Sequence, residues 1–141
     1  MAEAIARKVA IERGMTDIEV ASAGVNAYDG GPASDGALLV GMERRVDIAG
    51  HRSRQLTPEI VADADIILAM GPPHVARAEA LGGAGKTFLL TSYASHGAAD
   101  HPVSDPFGGD LELYRTTFDE LERDIRRALD RLAAEQARDR S

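Results

Sequence analysis

The chain has 141 residues, enough for one domain with a single core. Hydrophobic residues make up 44% and charged residues 28%, as in ordinary globular proteins, and a net charge of −7 with a pI near 5.0 argues against whole-molecule attraction to nucleic acid. No apolar run approaches the ~20 residues of a membrane span, Glu3, Arg7 and Lys8 break up any secretory apolar region, and the absence of cysteine excludes disulfides, thiolate metal sites and cysteine nucleophiles within these residues. A cytoplasmic location is the default expectation.

Residues 2–13 read as a helix, because Ala2, Ile5, Ala6 and Val9 follow a three-four spacing and Gly14 supplies a stop. No Ser, Thr, Asp or Asn precedes it, so its first N–H groups are uncapped and a free α-amino group would oppose its dipole. Residues 18–22 read as a strand, followed by a Gly- and Asp-rich loop from Asn26 to Pro32. Ser34 or Asp35 caps a second helix reaching about Arg45, with Leu38, Leu39 and Met42 expected to face inward. Polar loop covers His51 to Gln55. Thr57-Pro58-Glu59 then starts a short helix, capped at Thr57 with proline at its first position.

The run Asp65 to Met70 reads as a strand buried on both faces, as in a parallel sheet. Pro72 and Pro73 open a helix to about Leu81, which Gly82, Gly83 and Gly85 end, and Thr87 to Leu90 is a further strand. Ser92 to Asp110 reads as a long loop, a length that is often functional. The last helix spans about Leu111 to Gln136, with Leu111, Tyr114, Phe118, Leu121, Ile125, Leu129 and Leu132 in one stripe. Residues 137–141 are expected to fray, leaving 1–136 as a single domain.

Strands alternating with helices predict an α/β fold, a small parallel sheet with helices on both faces. The alternation opens on a helix with no strand feeding it, so the sequence reads as cut at its N-terminus.

Four segments resemble the low-molecular-weight protein phosphatases in the family's order. They are Met1-Ala2-Glu3-Ala4; Ser22-Ala23-Gly24-Val25 with Gly50-His51-Arg52-Ser53-Arg54-Gln55-Leu56; Asp65 to Met70; and Asp105-Pro106-Phe107-Gly108-Gly109. Phe107, where many members carry tyrosine, is similar to the bacterial protein-arginine-phosphatase branch and would lie on the substrate side. The family also includes arsenate reductases on the same frame, which likewise need cysteine thiolates. The resemblance implies a phosphotyrosine protein phosphatase I-like fold and hydrolysis of phosphoarginine or phosphotyrosine in a phosphorylated protein substrate, with no cofactor and no metal.

In such enzymes a Cys-x5-Arg-Ser-Pro loop stands directly before the segment matching Met1-Ala2-Glu3. Backbone N–H groups there bind phosphate oxygens, a low-pKa thiolate attacks phosphorus, the arginine grips two oxygens, and an aspartic acid protonates the leaving atom. Asp105 matches that acid, while Ser22 and His51 match positions that support the phosphate loop. The loop and the strand before it are expected to be missing here. A three-strand remnant would then remain, unstable on its own, with Ser22 and His51 supporting nothing and the chain inactive. A late start codon and a phosphoprotein-binding pseudophosphatase using Arg52 and Arg54 are the two rival explanations; oligomeric state stays open.

Plainer readings stand beside these. Asp105-Pro106-Phe107-Gly108-Gly109 on its own reads as turn chemistry, and the resemblance reverses that preference. Ser22 at a strand end and His51 beside arginines have structural roles in most proteins. His96, Asp100, His101 and Asp105 are metal-ligand types without a ligand spacing. Gly82 to Thr87 fails as a phosphate-binding G-x4-G-K-[ST] loop, since position 80 is Ala80 and a strand follows it. Arg44, Arg45, Arg52 and Arg54 form a solvated basic patch.

Overall fold

Tyr114, Phe118, Leu121, Ile125, Ala128 and Leu129 recur every three or four residues, and in the computed structural model they form the buried face of one long helix, Leu111–Arg140. The structure describes residues 1–25, 33–103 and 105–140, the side chains of 139 and 140 excepted. The loop expected from Asn26 to Pro32 lies outside the described residues. In chain order the elements are α1 (Ala2–Glu12), α2 (Asp35–Glu43), α3 (Pro58–Asp63), β1 (Ile67–Ala69), α4 (Pro72–Ala78), β2 (Thr87–Leu89), α5 (Leu90–Ala94) and α6 (Leu111–Arg140).

α6 is the platform. α1, α2 and α5 all pack on it, and Phe118 at 0% exposure sits with Ile5, Val9, Val40, Leu90 and Tyr93 in one cluster. Ion pairs trim the seams: Arg126 to Glu12 at 3.0 Å and Arg13 to Asp130 at 2.9 Å beside α1, and Arg44 to Asp119 at 3.1 Å and Arg115 to Glu43 at 2.9 Å beside α2. The hydrogen bond from Arg115 holds the Glu43 carboxyl below its usual range. α6 begins where Asp110 Oδ1 accepts the Leu113 N–H at 2.9 Å, a side-chain N-cap. It continues through Arg140, beyond the expected end at Gln136.

The capping expectations hold at three helix starts. Ser34 Oγ accepts the Ala37 N–H, Thr57 Oγ1 accepts the Ile60 N–H, and Met1 offers α1 no side-chain cap. Gly14 takes the left-handed conformation, φ +67°, just past α1. The inward face of α2 is corrected in part. Leu38 packs against the core as expected and Ala37, Val40 and Gly41 are buried, whereas Leu39 is half exposed and Met42 is 76% exposed. Gly41 is needed there, because a Cβ would stand 2.8 Å from both the Val46 carbonyl oxygen and Ile48 Cδ1.

β1 and β2 pair in parallel, Ile67 opposite Thr87 and Ala69 opposite Leu89. The fold is therefore α/β, a small parallel sheet with helices, as the alternation predicts. Three details differ from expectation. Residues 18–22 form no strand among the described residues; instead Gly24 makes an isolated parallel bridge with Gln55, and the carbonyls of Val20 and Ser22 accept from Arg7 Nη2 and Arg54 Nε. Among the described residues the sheet thus has two strands, not three. β1 buries only Ala69 fully, while Ile67 is partly buried beside it and Leu68, on the other face, is partly buried against the core. The expected loop from Ser92 also hides a helical turn: α5 follows β2 directly, buries Leu90, Thr91, Tyr93 and Ala94, and ends at Ala94, with Gly97 at φ +87° in the turn that follows.

Tyr93 ties α5 to the far half of α6. Its ring lies 4.2 Å beneath the Arg131 guanidinium carbon, and its hydroxyl donates to Glu135 at 2.8 Å. Burial, then the bond to Glu135, pushes the phenol up to about 12, with Arg131 opposing. A raised phenol pKa favours folding below the unfolded value of 10.0, and that contribution is lost as pH rises from 10 toward 12. Urea titrations are therefore expected to show a steeper alkaline loss of stability in the parent than in Tyr93→Phe across that window. Phe118→Ala is expected to cost about 3–5 kcal/mol in the same assay at neutral pH.

Candidate functional site

An acid in the first turn of α1 has its carboxylate near the positive end of the helix dipole. Glu3 is that acid, and its side chain is only 15% exposed. Three side chains converge on it. Ser22 Oγ, from the extended segment after α1, donates to Glu3 Oε1 at 3.0 Å. Arg7, one turn along α1, pairs with Glu3 Oε2 at 3.0 Å and reaches across to the Val20 carbonyl at 3.1 Å. His51 Nδ1 stands 3.8 Å from Glu3 Oε2. The His51 loop is fixed by its own N–H to the Ile48 carbonyl, 3.0 Å, and by Arg52 Nη1 to the His51 carbonyl, 2.7 Å.

Ser22 and His51, named from the sequence, are thus brought to one place. Ser22 is not idle, since it bonds Glu3 at the start of α1, and His51 stands next to the same carboxylate. Glu3, on which they meet, was not singled out from the sequence. The available signal was an acid within the first turn of an otherwise uncapped helix. The α-amino group of Met1 shares this corner; burial lowers its pKa, with Glu3 opposing.

Asp105 and Phe107 stand on a separate loop. Asp105 Oδ1 accepts the Phe107 N–H at 3.0 Å, and the Pro106 carbonyl accepts the Gly109 N–H at 2.8 Å around Gly108 at φ +80°. Asp105 is solvent-exposed and Phe107 is 78% exposed. Among the described residues no hydrogen bond or ion pair joins this loop to Glu3, Ser22 or His51. A cleft of about 340 Å³ borders the loop, between Asp35, Gly36 and Leu39 of α2 and Gly109, Leu111 and Tyr114. The Tyr114 hydroxyl bonds Ser34 Oγ at its edge, 3.1 Å.

The remaining sequence candidates have structural partners. Lys86 Nζ donates to the Ala64 carbonyl and Thr87 Oγ1 to the Gly83 carbonyl, so the glycine-rich stretch around them is a turn held to its neighbours. Arg44 pairs with Asp119, Arg54 bonds the Ser22 carbonyl and Arg52 bonds the carbonyls of Ala49 and His51, which disperses the basic patch. Among the described residues no group of three His, Asp or Glu side chains is placed to hold a metal ion, and no helix is long and apolar enough to cross a membrane.

Comparison with known proteins bears directly on this arrangement. The profile of the family described as low molecular weight phosphotyrosine protein phosphatase matches residues 1–138. A protein-arginine-phosphatase of Geobacillus stearothermophilus is 42% identical over 124 residues, covering 84% of this chain and 80% of the relative. Its namesake in Bacillus subtilis is 36% identical over 128 residues, covering 89% and 83%. The solved YwlE arginine phosphatase from Geobacillus stearothermophilus superposes with a TM-score of 0.86 at 36% identity, over 97% of this chain and 86% of that one. The chain, with its Glu3 corner and its Asp105 loop, belongs to the low molecular weight phosphotyrosine protein phosphatase family.

Proposed function

We propose that this protein is a hydrolase of phosphorylated proteins, preferring phosphoarginine over phosphotyrosine, whose 141 residues supply the acid and the supporting frame but not the nucleophile. The observation that carries the reading is the family match over residues 1–138, with Ser22 and His51 gathered at the N-terminal end of α1, beside which the resemblance puts the phosphate loop. The two relatives named protein-arginine-phosphatase support the substrate preference.

In the proposed reaction a cysteine thiolate forms a bond to phosphorus as the bond to the leaving nitrogen or oxygen breaks. Asp105 gives its proton to that leaving atom. Water then attacks the phosphocysteine, losing its proton to Asp105, and inorganic phosphate departs. Phe107, exposed beside Asp105, faces the incoming protein. Each covalent step needs a sulfur that is absent from these 141 residues.

That absence favours a second reading, a phosphoprotein-binding pseudophosphatase. The coding sequence immediately upstream of the Met1 codon separates the two. An in-frame Cys-x5-Arg-Ser-Pro assigns the hydrolase, and its absence assigns the binding protein. The purified 141-residue chain is expected to release phosphate from phosphoarginine peptides, phosphotyrosine peptides and p-nitrophenyl phosphate at the buffer background. Turnover above background that Asp105→Asn abolishes would overturn this account of the missing nucleophile.

A further inference from the structure

The stretch between α5 and α6 carries Asp105 and has no regular secondary structure among its described residues. Two ties hold it to the core, and a third, at Ser95, lies within the stretch itself. Ser95 Oγ accepts the Ala99 N–H at 2.8 Å. The Met70 carbonyl, just past β1, accepts the Val103 N–H at 2.7 Å. Thr91, just past β2, donates its hydroxyl to the His101 carbonyl at 2.6 Å. Met70 and Thr91 thus both lie beyond the carboxyl ends of parallel strands, where open α/β sheets place their sites.

Thr91 is the tie that demands an explanation, because it is only 3% exposed. A hydroxyl so deep costs free energy unless it is bonded, and valine would fill the same space without that requirement. In the first turn of α5 no preceding helical carbonyl is available to it. Its acceptor lies ten residues further along the chain. From His101 only four residues lead to Asp105, and Pro102 and the bonded Val103 stand between them. The fixed φ of proline and the strand-end bond of Val103 to Met70 thus join the Thr91 bond in setting the course of the chain up to two residues before Asp105.

We propose that Thr91 is a positioning residue for Asp105, its buried hydroxyl setting where the loop leaves the core and so where the carboxyl group stands. The proposal rests on the reading of Asp105 as the acid. The test is amide exchange by NMR on the 141-residue chain and on Thr91→Val and Thr91→Ser. In Thr91→Val the Val103 amide is expected to exchange ~10-fold faster while the Ile125 amide in α6 keeps its parent rate. The Phe107 amide, which donates to the Asp105 carboxylate, is expected to exchange faster in the same variant. Thr91→Ser, which keeps the hydroxyl, is expected to restore both. An unchanged Val103 rate in the valine variant, an equal acceleration at Ile125, or no rescue by serine would each overturn the proposal. Any of these leaves the hydrolase reading standing, since that depends on the upstream coding sequence and on phosphate release.

Discussion

The apolar stripe on α6 is the surface on which the other helices are assembled, and Phe118 is its centre. α1 shows the dependence best. It starts without a side-chain cap, and a helix of 11 residues is marginal in water on its own. Ile5 and Val9 bury against α6, and Glu12 and Arg13 pair with Arg126 and Asp130 of the same helix. Tertiary burial therefore supplies what local signals withhold. The consequence reaches the site, because the orientation of α1 on α6 is what aims Glu3 at Ser22 and His51.

The helices of this fold were legible where periodicity or capping chemistry is strong. The α6 stripe, Ser34 and Thr57 as caps, and the glycine after α1 all follow from side-chain spacing and turn sterics. α2 shows the limit. Four consecutive apolar residues, Ala37 to Val40, leave no polar face to break the symmetry, and the inward side is chosen by where Gly41 permits close approach to Val46 and Ile48. A strand is a relation between two segments, and alternation in residues 18–22 cannot supply the partner. α5 was hidden for another reason: it has no side-chain cap and begins at the residue after β2.

The site divides along the same line. Asp105, Ser22 and His51 were recognisable because they sit in short motifs whose order along the chain matches a family pattern. Glu3 was not, since its importance lies in contacts 19 and 48 positions away that exist only after folding. Thr91 is a sharper case: buried threonine in an apolar segment looks like core from the sequence, and only the direction of its hydroxyl separates it from valine.

The pins along α6 make that helix a ruler. Arg115 meets Glu43, Arg126 meets Glu12, and Arg131 meets both the ring and the carbonyl of Tyr93, at intervals set by the helix itself. One inserted or deleted residue between any two pins would turn everything downstream by about 100° and shift it by about 1.5 Å. All later anchors would then miss together. Spacing within α6 is therefore under tighter constraint than the identity of many residues on its outer face, and length changes in descendants of this chain should gather in the connecting segments instead.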